Sequence, residues 1–434
     1  MPDQLTRVAF HTLGCKLNFA ETSSIARSLP EERFRRVAFS EEADIYVINS
    51  CSVTDAADRK CRQTISRIVH RHPDALIAVV GCYSQLDPHR VASIPGVDLV
   101  LGSAEKFDIV RYLDNIRKRK APEIHSCETE SLTCFMPSWS IGDRTRSFLK
   151  VQDGCDYHCS YCTIPLARGI SRNPAIAECV REAREIAAAG VKEIVLTGVN
   201  TGDFGKSTGE SLAGLLKALS GVKDIERYRI SSIEPNLLTD EIIDMVSSGG
   251  PLLPHFHIPL QSGCNRTLAA MRRRYTRELF ADRVEKISQQ VPMAGIGADV
   301  ITGFPGESDE DFADTVSFLE SMPLSYLHVF RYSERPGTDA EGLPGKVPHK
   351  TREVRSKLLM RLSDSKKMVF LNLNIGRTMK VLFEGPERNG IVSGFTPNYI
   401  RVNADAGPGS TGKILNVKLI HPTEEAEAWG VVEK

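Results

Sequence analysis

Short apolar runs alternate with helical patterns over the first hundred residues. Between Val8 and Leu101 the apolar runs are VAFHTLG, DIYVINS, LIAVVG and VDLVLG. The segments between them, such as NFAETSSIARSL and DAADRKCRQTISRIVHRH, space their apolar residues three to four positions apart and carry charges elsewhere. This alternation predicts a parallel α/β sheet with crossover helices.

A second alternation follows a segment without periodicity. Residues 115–146 are rich in Ser, Thr, Pro and charged residues, which predicts a linker. Six further apolar runs come after it: SFLKVQ, EIVLTG, RYRISSI, HFHIPLQ, GADVITG and YLHVFRY. Six βα units favour an open or closed barrel of parallel strands over a flat sheet, although periodicity alone does not separate the two.

The end of the chain has a third pattern. After Asn374, the short runs RTMKVLFEG, NYIRVNA and KILNVKLI lie between Gly, Pro and Asn turns, which predicts a small all-β barrel. The predicted organisation is therefore an N-terminal α/β domain over residues 1–118, a linker over 119–145, a βα barrel over 146–371 and a β-barrel over 372–434.

Composition limits the classes of partner. The 434 residues are enough for two to four domains, and 55 basic residues balance 55 acidic ones. Because the net charge is zero, any nucleic-acid contact must come from local patches. No signal-peptide core stands at the N-terminus and no run reaches the ~18 apolar residues that cross a bilayer, so a cytoplasmic protein without a membrane partner is expected.

The cysteines supply the candidate chemistry. Eleven cysteines, an odd number, favour metal binding or reactive thiols over disulfides. Cys155, Cys159 and Cys162 form a C-x3-C-x2-C motif just after the first barrel strand, where active sites form. Zinc with His158 as fourth ligand is one possibility, but a histidine next to Cys159 fits a single tetrahedron poorly. Three thiolates suit an iron-sulfur cluster in which one iron keeps an open coordination position.

A second set of three cysteines is predicted in the N-terminal domain. Cys15, Cys51 and Cys82 each follow one of the predicted strands, with gaps close to the length of one βα unit. The carboxyl ends of parallel strands share one edge of the sheet, so these thiols should converge there. Cysteine also serves as a small apolar residue in such interfaces, but three in register predict a second cluster.

The barrel motif resembles a known signature. C-x3-C-x2-C with Tyr161 before its last cysteine is similar to the signature of radical S-adenosylmethionine enzymes. The resemblance implies a partial parallel βα barrel and a 4Fe-4S cluster whose open iron binds S-adenosylmethionine, with Tyr161 in the cofactor site. It also implies a reducing electron donor and cleavage of the cofactor to a 5'-deoxyadenosyl radical.

The whole chain resembles the methylthiotransferase family of these enzymes. The motifs HTLGCKLN, NSCSVTDAADRKCRQ and DGCDYHCSYCTIPLARG are most similar to the branch acting on N6-threonylcarbamoyladenosine in tRNA. The family's C-terminal TRAM domain is an RNA-binding β-barrel. The resemblance implies two 4Fe-4S clusters, tRNA as partner and methylthiolation of C2 of the modified adenine beside the anticodon. The N-terminal cluster would supply sulfur from a source that the sequence does not identify.

Further site residues follow from their positions at strand ends. The resemblance places Thr197 and Gly198 of TGVNTGDFG at the methionine amino group, although the stretch also fits an ordinary turn. Polar residues after the later strands are candidates for contacts with the cofactor, or for structural roles such as helix capping. These residues are Ser232, Glu234, Gln261, Asp299 and Glu307.

RNA contacts are predicted from local charge. The run MRRRYTR contains Arg272, Arg273 and Arg274, which we expect to bind RNA together with the C-terminal barrel, although most charge runs are simply solvated faces. Two alternative functions remain open at this point. One is methylthiolation of another modified tRNA adenosine or of a ribosomal protein, and the other is a non-catalytic iron-sulfur electron carrier or RNA-binding sensor.

Overall fold

The N-terminal domain is a parallel six-stranded sheet with the order β2-β1-β3-β4-β5-β6. The computed structural model describes residues 5–113, 118, 121–142 and 144–433, with the side chain at 386 left out. The strands are β1 (Thr6–Thr12), β2 (Phe34–Val37), β3 (Ile45–Ser50), β4 (Leu76–Gly81), β5 (Leu99–Leu101) and β6 (Glu123–His125). The helices are α1 (Lys16–Arg27), α2 (Asp55–Arg71), α3 (Cys82–Leu86), α4 (Pro88–Ala92) and α5 (Ile109–Tyr112).

The second domain consists of six parallel strands in chain order. They are β7 (Ser147–Lys150), β8 (Glu193–Thr197), β9 (Arg227–Ile230), β10 (His255–Gln261), β11 (Gly295–Thr302) and β12 (Tyr326–Arg331). A parallel bridge between Ser232 and His257 joins the first three strands to the last three. The helices are α6 (Ile164–Arg168), α7 (Ile176–Ala188), α8 (Leu212–Ser220), α9 (Asp240–Ser247), α10 (Asn265–Ala270), α11 (Arg277–Gln290), α12 (Asp309–Ser321) and α13 (His349–Asn374).

The two faces of these barrel strands differ in character. Alternate residues such as Ile194, Phe256 and Ala298 belong to the apolar core shared with the helices. Because successive side chains in a strand point to opposite faces, the intervening residues point to the barrel interior. The interior holds polar pairs such as Glu193 and Arg229 at 2.9 Å, together with an apolar contact of Phe148 and Val195 with Ala20.

The C-terminal domain is a closed barrel with the order β13-β14-β15-β17-β16. Its strands are β13 (Thr378–Arg388), β14 (Ile391–Phe395), β15 (Arg401–Asp405), β16 (Ile414–Pro422) and β17 (Ala428–Val432). It packs against the amino ends of the second domain's strands, where Arg229 donates to the carbonyl of Pro397 over 3.0 Å. In the described ranges, no helix has the length and apolar character needed to span a membrane.

The predicted fold class is confirmed, with corrections to individual elements. The segment predicted as a linker contains β6, which pairs with β5 in parallel. The strands β2, β14 and β17 were also not predicted from the hydrophobic pattern. The helix α13 ends at Asn374, so the predicted boundary between residues 371 and 372 falls within its last turn.

Candidate functional site

One cavity of about 410 Å³ lies between the N-terminal domain and the carboxyl ends of the barrel strands. Both predicted cysteine sets line it. The six residues are Cys15, Cys51, Cys82, Cys155, Cys159 and Cys162. The two cysteine sets, which were predicted in separate domains, therefore line the same cavity.

The barrel set lies on a tightly turned loop after β7. The amide of Cys162 donates to the carbonyl of Cys159 over 3.0 Å. Amides also point at sulfur, since Tyr157 N lies 3.4 Å from Cys155 Sγ and Ile164 N lies 3.5 Å from Cys162 Sγ. Hydrogen bonds of this kind are among the features that tune iron-sulfur clusters.

Burial raises the pKa of the Cys155 and Cys162 thiols to about 12, and the neighbouring cysteines add to the shift. Burial also raises the pKa of Cys159, whereas Arg273 lowers it. The Arg273 Nη1 atom donates to Cys159 Sγ over 3.0 Å. Because metal binding needs thiolates, a cluster that forms here must release protons as it loads.

The N-terminal set is brought together by strand ends and by glycine. Cys15 follows β1 as the N-cap residue of α1, and Cys82 begins α3 directly after β4. Burial and the charges of Cys15 and Cys82 raise the pKa of Cys51 to about 12. Gly14 has a φ of +99°, and a Cβ there would lie 2.5 Å from the Cβ of Cys51. Only glycine fits this approach without displacing Cys51.

In the described residues, the sulfurs of each set are not gathered around a point where one ion could bind all three. Two sulfurs bound to one zinc at about 2.3 Å cannot be more than about 4.6 Å apart. Among the residues that the structure describes, neither cysteine set has all three sulfurs within 4.8 Å of one another. His158 is exposed and is not part of the cavity lining. With three cysteines in each set, the residues present suit two clusters that each keep one open iron better than a closed four-ligand zinc site.

A buried ionic network joins the two halves of the cavity. Glu21 of α1 accepts from Arg168 of α6 over 2.9 Å and from Lys150 of β7 over 3.0 Å. Lys106 of the N-terminal domain also donates to the Glu21 carboxylate, over 2.6 Å. Burial alone would raise the pKa of Glu21, but these three cations hold it well below its usual range. The charged network thus fixes the N-terminal domain against the barrel.

Most of the predicted cofactor-binding residues lie at this cavity. A break in register between Pro259 and Gln261, together with a φ of 69° at Gln261, turns that residue at the end of β10. Such irregularities commonly re-aim side chains beside active sites. The predicted residues in the cavity lining are Tyr161, Gly198, Ser232, Glu234, Gln261 and Asp299.

Two predicted residues are placed elsewhere. The Thr197 hydroxyl lies 3.2 Å from the carbonyl of Val195 and does not line the cavity. Glu307 pairs with Arg355 of α13 and accepts from the amide of Gly303 over 2.9 Å, so its role here is structural.

The three arginines predicted to bind RNA have different surroundings. Arg273 lines the cavity with a side chain only 4% exposed, and it pairs with Glu234. That position corrects the expectation of a surface phosphate contact, because a buried and paired guanidinium cannot reach the RNA backbone. Arg272 is exposed and pairs with Asp339, and Arg274 lies over the Tyr157 ring at 4.0 Å.

Three further cavity residues were not predicted from the sequence. Arg168 and Asn18 both line the cavity, and Arg168 also donates to Asp153 over 2.9 Å. Both residues fall inside the quoted motifs, but no spacing rule distinguishes them from their neighbours. The side chain of Asn200 also lines the cavity, and its Oδ1 has no hydrogen-bond partner in the described part of the chain. An unpaired buried oxygen of this kind is suited to a bound ligand.

Comparison with known proteins places the chain in a family. Residues 7–102 match the model "Uncharacterized protein family UPF0004", and residues 149–319 match the model "Radical SAM superfamily". The threonylcarbamoyladenosine tRNA methylthiotransferase MtaB of Bacillus subtilis is 38% identical over 99% of this chain and 98% of its own length. The chain belongs to the radical S-adenosylmethionine methylthiotransferase family.

Further relatives agree with this family. MtaB of Aquifex aeolicus is 36% identical over 95% of this chain and its full length. The tRNA-2-methylthio-N(6)-dimethylallyladenosine synthase of Syntrophotalea carbinolica is 32% identical over 94% of this chain and 95% of its own. Among solved structures, the radical S-adenosylmethionine methyltransferase TsrM of Kitasatospora setae has a TM-score of 0.55 at 13% identity, over 78% of this chain and 77% of its own.

As a member of the radical S-adenosylmethionine methylthiotransferase family, the protein is an enzyme that uses S-adenosylmethionine and 4Fe-4S clusters. This confirms the cofactors expected from the sequence. It also removes the alternative of a non-catalytic electron carrier or sensor, because the whole chain aligns with enzymes of this type.

Proposed function

We propose that the protein adds a methylthio group to C2 of N6-threonylcarbamoyladenosine next to the anticodon of tRNA. The observation that carries the proposal is the full-length similarity to MtaB at 38% identity, combined with six cysteines lining one cavity. The relative named for the dimethylallyl-modified base is less similar, at 32% identity. The substrates tRNA and S-adenosylmethionine would be joined by a reducing electron donor as the third partner.

We assign each cluster to one cysteine set. Cys155, Cys159 and Cys162 would hold the barrel cluster, and Cys15, Cys51 and Cys82 the N-terminal one. When bound with S-adenosylmethionine, a cluster on the barrel set would supply radical chemistry, and a cluster on the N-terminal set would supply sulfur. Both sets line the same cavity, which supports the proposal that sulfur would be transferred to the base within one site.

Protein side chains around the barrel set would orient the cofactor and exclude water. Arg273 connects Cys159 with Glu234 and so fixes both at the cavity wall. Burial raises the pKa of Glu234, opposed by Arg273. Gln261 and Ser232, at neighbouring strand ends of the same cavity, supply the hydrogen-bonding groups that a nucleoside-like cofactor requires.

RNA would reach the cavity with help from the C-terminal barrel. Exposed basic residues Arg377, Lys380 and Lys418 lie on or next to the neighbouring strands β13 and β16. Clustered cations of this kind supply the sequence-independent part of nucleic-acid binding. Arg272 and Arg274 are exposed at the barrel and would add to it.

Nucleoside mass spectrometry tests the proposed function. Total tRNA from a strain lacking this gene should contain threonylcarbamoyladenosine without its methylthio derivative, and a plasmid copy should restore the derivative. The reconstituted enzyme should give the same product on purified tRNA. Loss of the methylthio group from the dimethylallyl-modified base instead would assign the protein to the other tRNA branch, and modification of a ribosomal protein would exclude tRNA as the substrate.

A further inference from the structure

The interior of β10, β11 and β12 forms a polar wall. On the outer face, Phe256 and Ile258 of β10 and Ile296 and Ala298 of β11 pack in the apolar core. The alternate residues face inward because side chains alternate along a strand. The inward residues that make up the polar wall are His255, His257, Asp299, Tyr326 and His328.

Hydrogen bonds organise this wall around one carboxylate. Asp299 Oδ1 lies 2.9 Å from His257 Nε2 and 3.3 Å from His328 Nδ1. The Tyr326 hydroxyl lies 2.8 Å from His255 Nε2. Gly297 makes room for the ring of Tyr326, since a Cβ at this glycine would come within 2.2 Å of it. Asp299 therefore acts as a positioning residue that fixes two imidazoles side by side.

The polar wall connects the cysteine cavity with a second space. Asp299 lines the cavity that contains both cysteine sets. His328 and Tyr326 line a groove of about 230 Å³ between β12 and the C-terminal barrel, where Tyr399 is also found. A group that extends from the cavity toward the C-terminal barrel would therefore pass along His328.

Two side chains near the polar wall, those of a histidine and a lysine, have a nitrogen atom that is free to bind a ligand. The side chain of His328 is 52% exposed, and its Nε2 atom has no hydrogen-bond partner in the described ranges. Lys16 keeps accessible surface and has no ion-pair partner among the same residues. The charges of Tyr399, Arg146, Arg229 and Asp299 act on the Lys16 ammonium, so it lies on the side of α1 that faces the barrel strands. A lysine without an ion-pair partner and a histidine nitrogen without a hydrogen-bond partner favour an anionic ligand.

We propose that His328 and Lys16, with His257 and Asp299 behind them, bind the carboxylate and hydroxyl of the threonylcarbamoyl group of the target base. The inference rests on the proposed function and names the residues that select its substrate. A dimethylallyl group is a hydrocarbon and would leave these donors unpaired, and sites built from hydrogen-bonding groups reject such analogues strongly. The polar wall thus binds the substituent of the base that distinguishes the substrates of the two groups of tRNA methylthiotransferases.

Binding of synthetic anticodon stem-loop RNAs to the anaerobically reconstituted full-length enzyme tests this. Three RNAs are compared: one with the threonylcarbamoyl acid, one with its methyl ester and one with plain adenosine. The wild type should prefer the acid over the ester. In H328Q and in K16M this preference should fall about 10-fold or more, as expected for a lost hydrogen bond to a charged group. H328F should abolish the preference.

Matched controls separate the possible outcomes. H70F and K217M change exposed residues of α2 and α8, which do not belong to the polar wall, and should keep the wild-type preference. Iron content of each variant shows whether the clusters and fold are intact, and H328Q keeps the test valid if H328F misfolds. Equal weakening of all three RNAs would mean a backbone phosphate contact and would overturn the proposal. One bound zinc or manganese ion per chain that disappears in H328Q would also overturn it, since the triad would then be a metal site.

The proposed function has its own readout in the same experiment. Methylthiolated product from the acid-bearing RNA and wild-type enzyme tests the reaction, whatever the binding preference is. If product forms but the acid and the ester bind equally well, the reaction stands and the polar wall does not read the carboxylate. If no product forms while the preference holds, the reaction is wrong and the binding site stands.

Discussion

The guanidinium of Arg168 in the barrel donates to the side-chain oxygen of Asn18 in the N-terminal domain over 2.6 Å. Asn18 also lies 3.8 Å from the sulfur of Cys15 and donates to the carbonyls of Leu13 and Ser50. The same arginine therefore supports the segments that carry two of the N-terminal cysteines. The geometry of that cysteine set depends on a residue of the other domain.

Replacing Arg168 by Met should destabilise the protein by about 3–5 kcal/mol. The side chain is 2% exposed, and its loss leaves Glu21 and Asp153 buried with fewer partners. Denaturant unfolding at neutral pH measures the change. Lys206→Met is the control, because Lys206 pairs with Asp156 at the surface and such pairs contribute about 0–1 kcal/mol. Equal effects of the two substitutions would contradict the structural role of the network.

Gly14→Ala should remove the N-terminal cluster and leave the barrel cluster in place. The added methyl group would collide with Cys51 and would also strain a backbone φ of +99°. Iron content after anaerobic reconstitution should fall from about eight to about four irons per chain. Gly190→Ala provides the control, since Gly190 has a φ of +81° but no atom within 4 Å of the position that a Cβ would take. A full complement of iron in Gly14→Ala would refute the close approach.

Substitutions in the two cysteine sets should separate two activities. Cys159→Ala should abolish formation of 5'-deoxyadenosine, because that cysteine belongs to the barrel set. Cys51→Ala should still form 5'-deoxyadenosine but should not insert sulfur. Chromatography of both products from one reaction measures this. Normal yields of methylthiolated RNA from the Cys51 variant would disprove the assignment of sulfur transfer to the N-terminal set.

The elements that the hydrophobic pattern predicts are those with long apolar runs. The fully buried strands β3 and β4 were predicted for this reason. The edge strand β2 was missed because Arg35 and Arg36 are exposed and the strand has only four residues. The strand β6 has three residues and no fully buried one, so it resembles the linker around it. Edge strands need a neighbouring strand to define them, and a single sequence does not show that neighbour.

For the site, the spacing of the cysteines predicted the candidate cluster ligands, but it did not predict which residues surround them. Three consecutive arginines indicate a basic surface, but Arg272 has a φ of 56° and its neighbours Met271 and Tyr275 are buried, so Arg273 turns inward to the cysteines. The polar wall around Asp299 was also missed, because its residues come from three strands far apart in sequence. Side-chain convergence of this kind depends on strand register, which a single sequence does not determine.

Stability should depend on pH through Glu182 of α7. Burial raises the pKa of this carboxyl to about 7, with Glu185 and Glu178 adding to the shift. The folded state therefore holds a proton that the unfolded chain releases near pH 4.5, and stability from this group is lost as pH rises from about 4.5 to 7. Glu182→Gln should stabilise the protein at pH 8 by at most about 3 kcal/mol and change little at pH 4.5. Glu285→Gln, at an exposed position of α11 that does not act on Glu182, should show no such pH-dependent gain.

RNA affinity should depend on salt through the C-terminal barrel. The net charge is zero, so binding must come from local cations such as Lys380 and Lys418. Each phosphate contact that is lost should reduce the slope of log affinity against log salt concentration by roughly 0.7 to 0.9. Truncation of the barrel is a poor test, because Arg227 and Arg229 bind its carbonyls and would lose partners. Point substitutions avoid this problem.

Lys380→Met and Lys418→Met should each lower the slope and weaken tRNA binding, while iron content and 5'-deoxyadenosine formation stay at wild-type levels. Lys217→Met is the matched control, because Lys217 is exposed on α8, a helix of the second domain that packs against α7. Filter binding across a salt series measures the slopes. If all three variants bind tRNA as the wild type does, the C-terminal barrel does not hold RNA through this face, and a protein substrate becomes the better hypothesis.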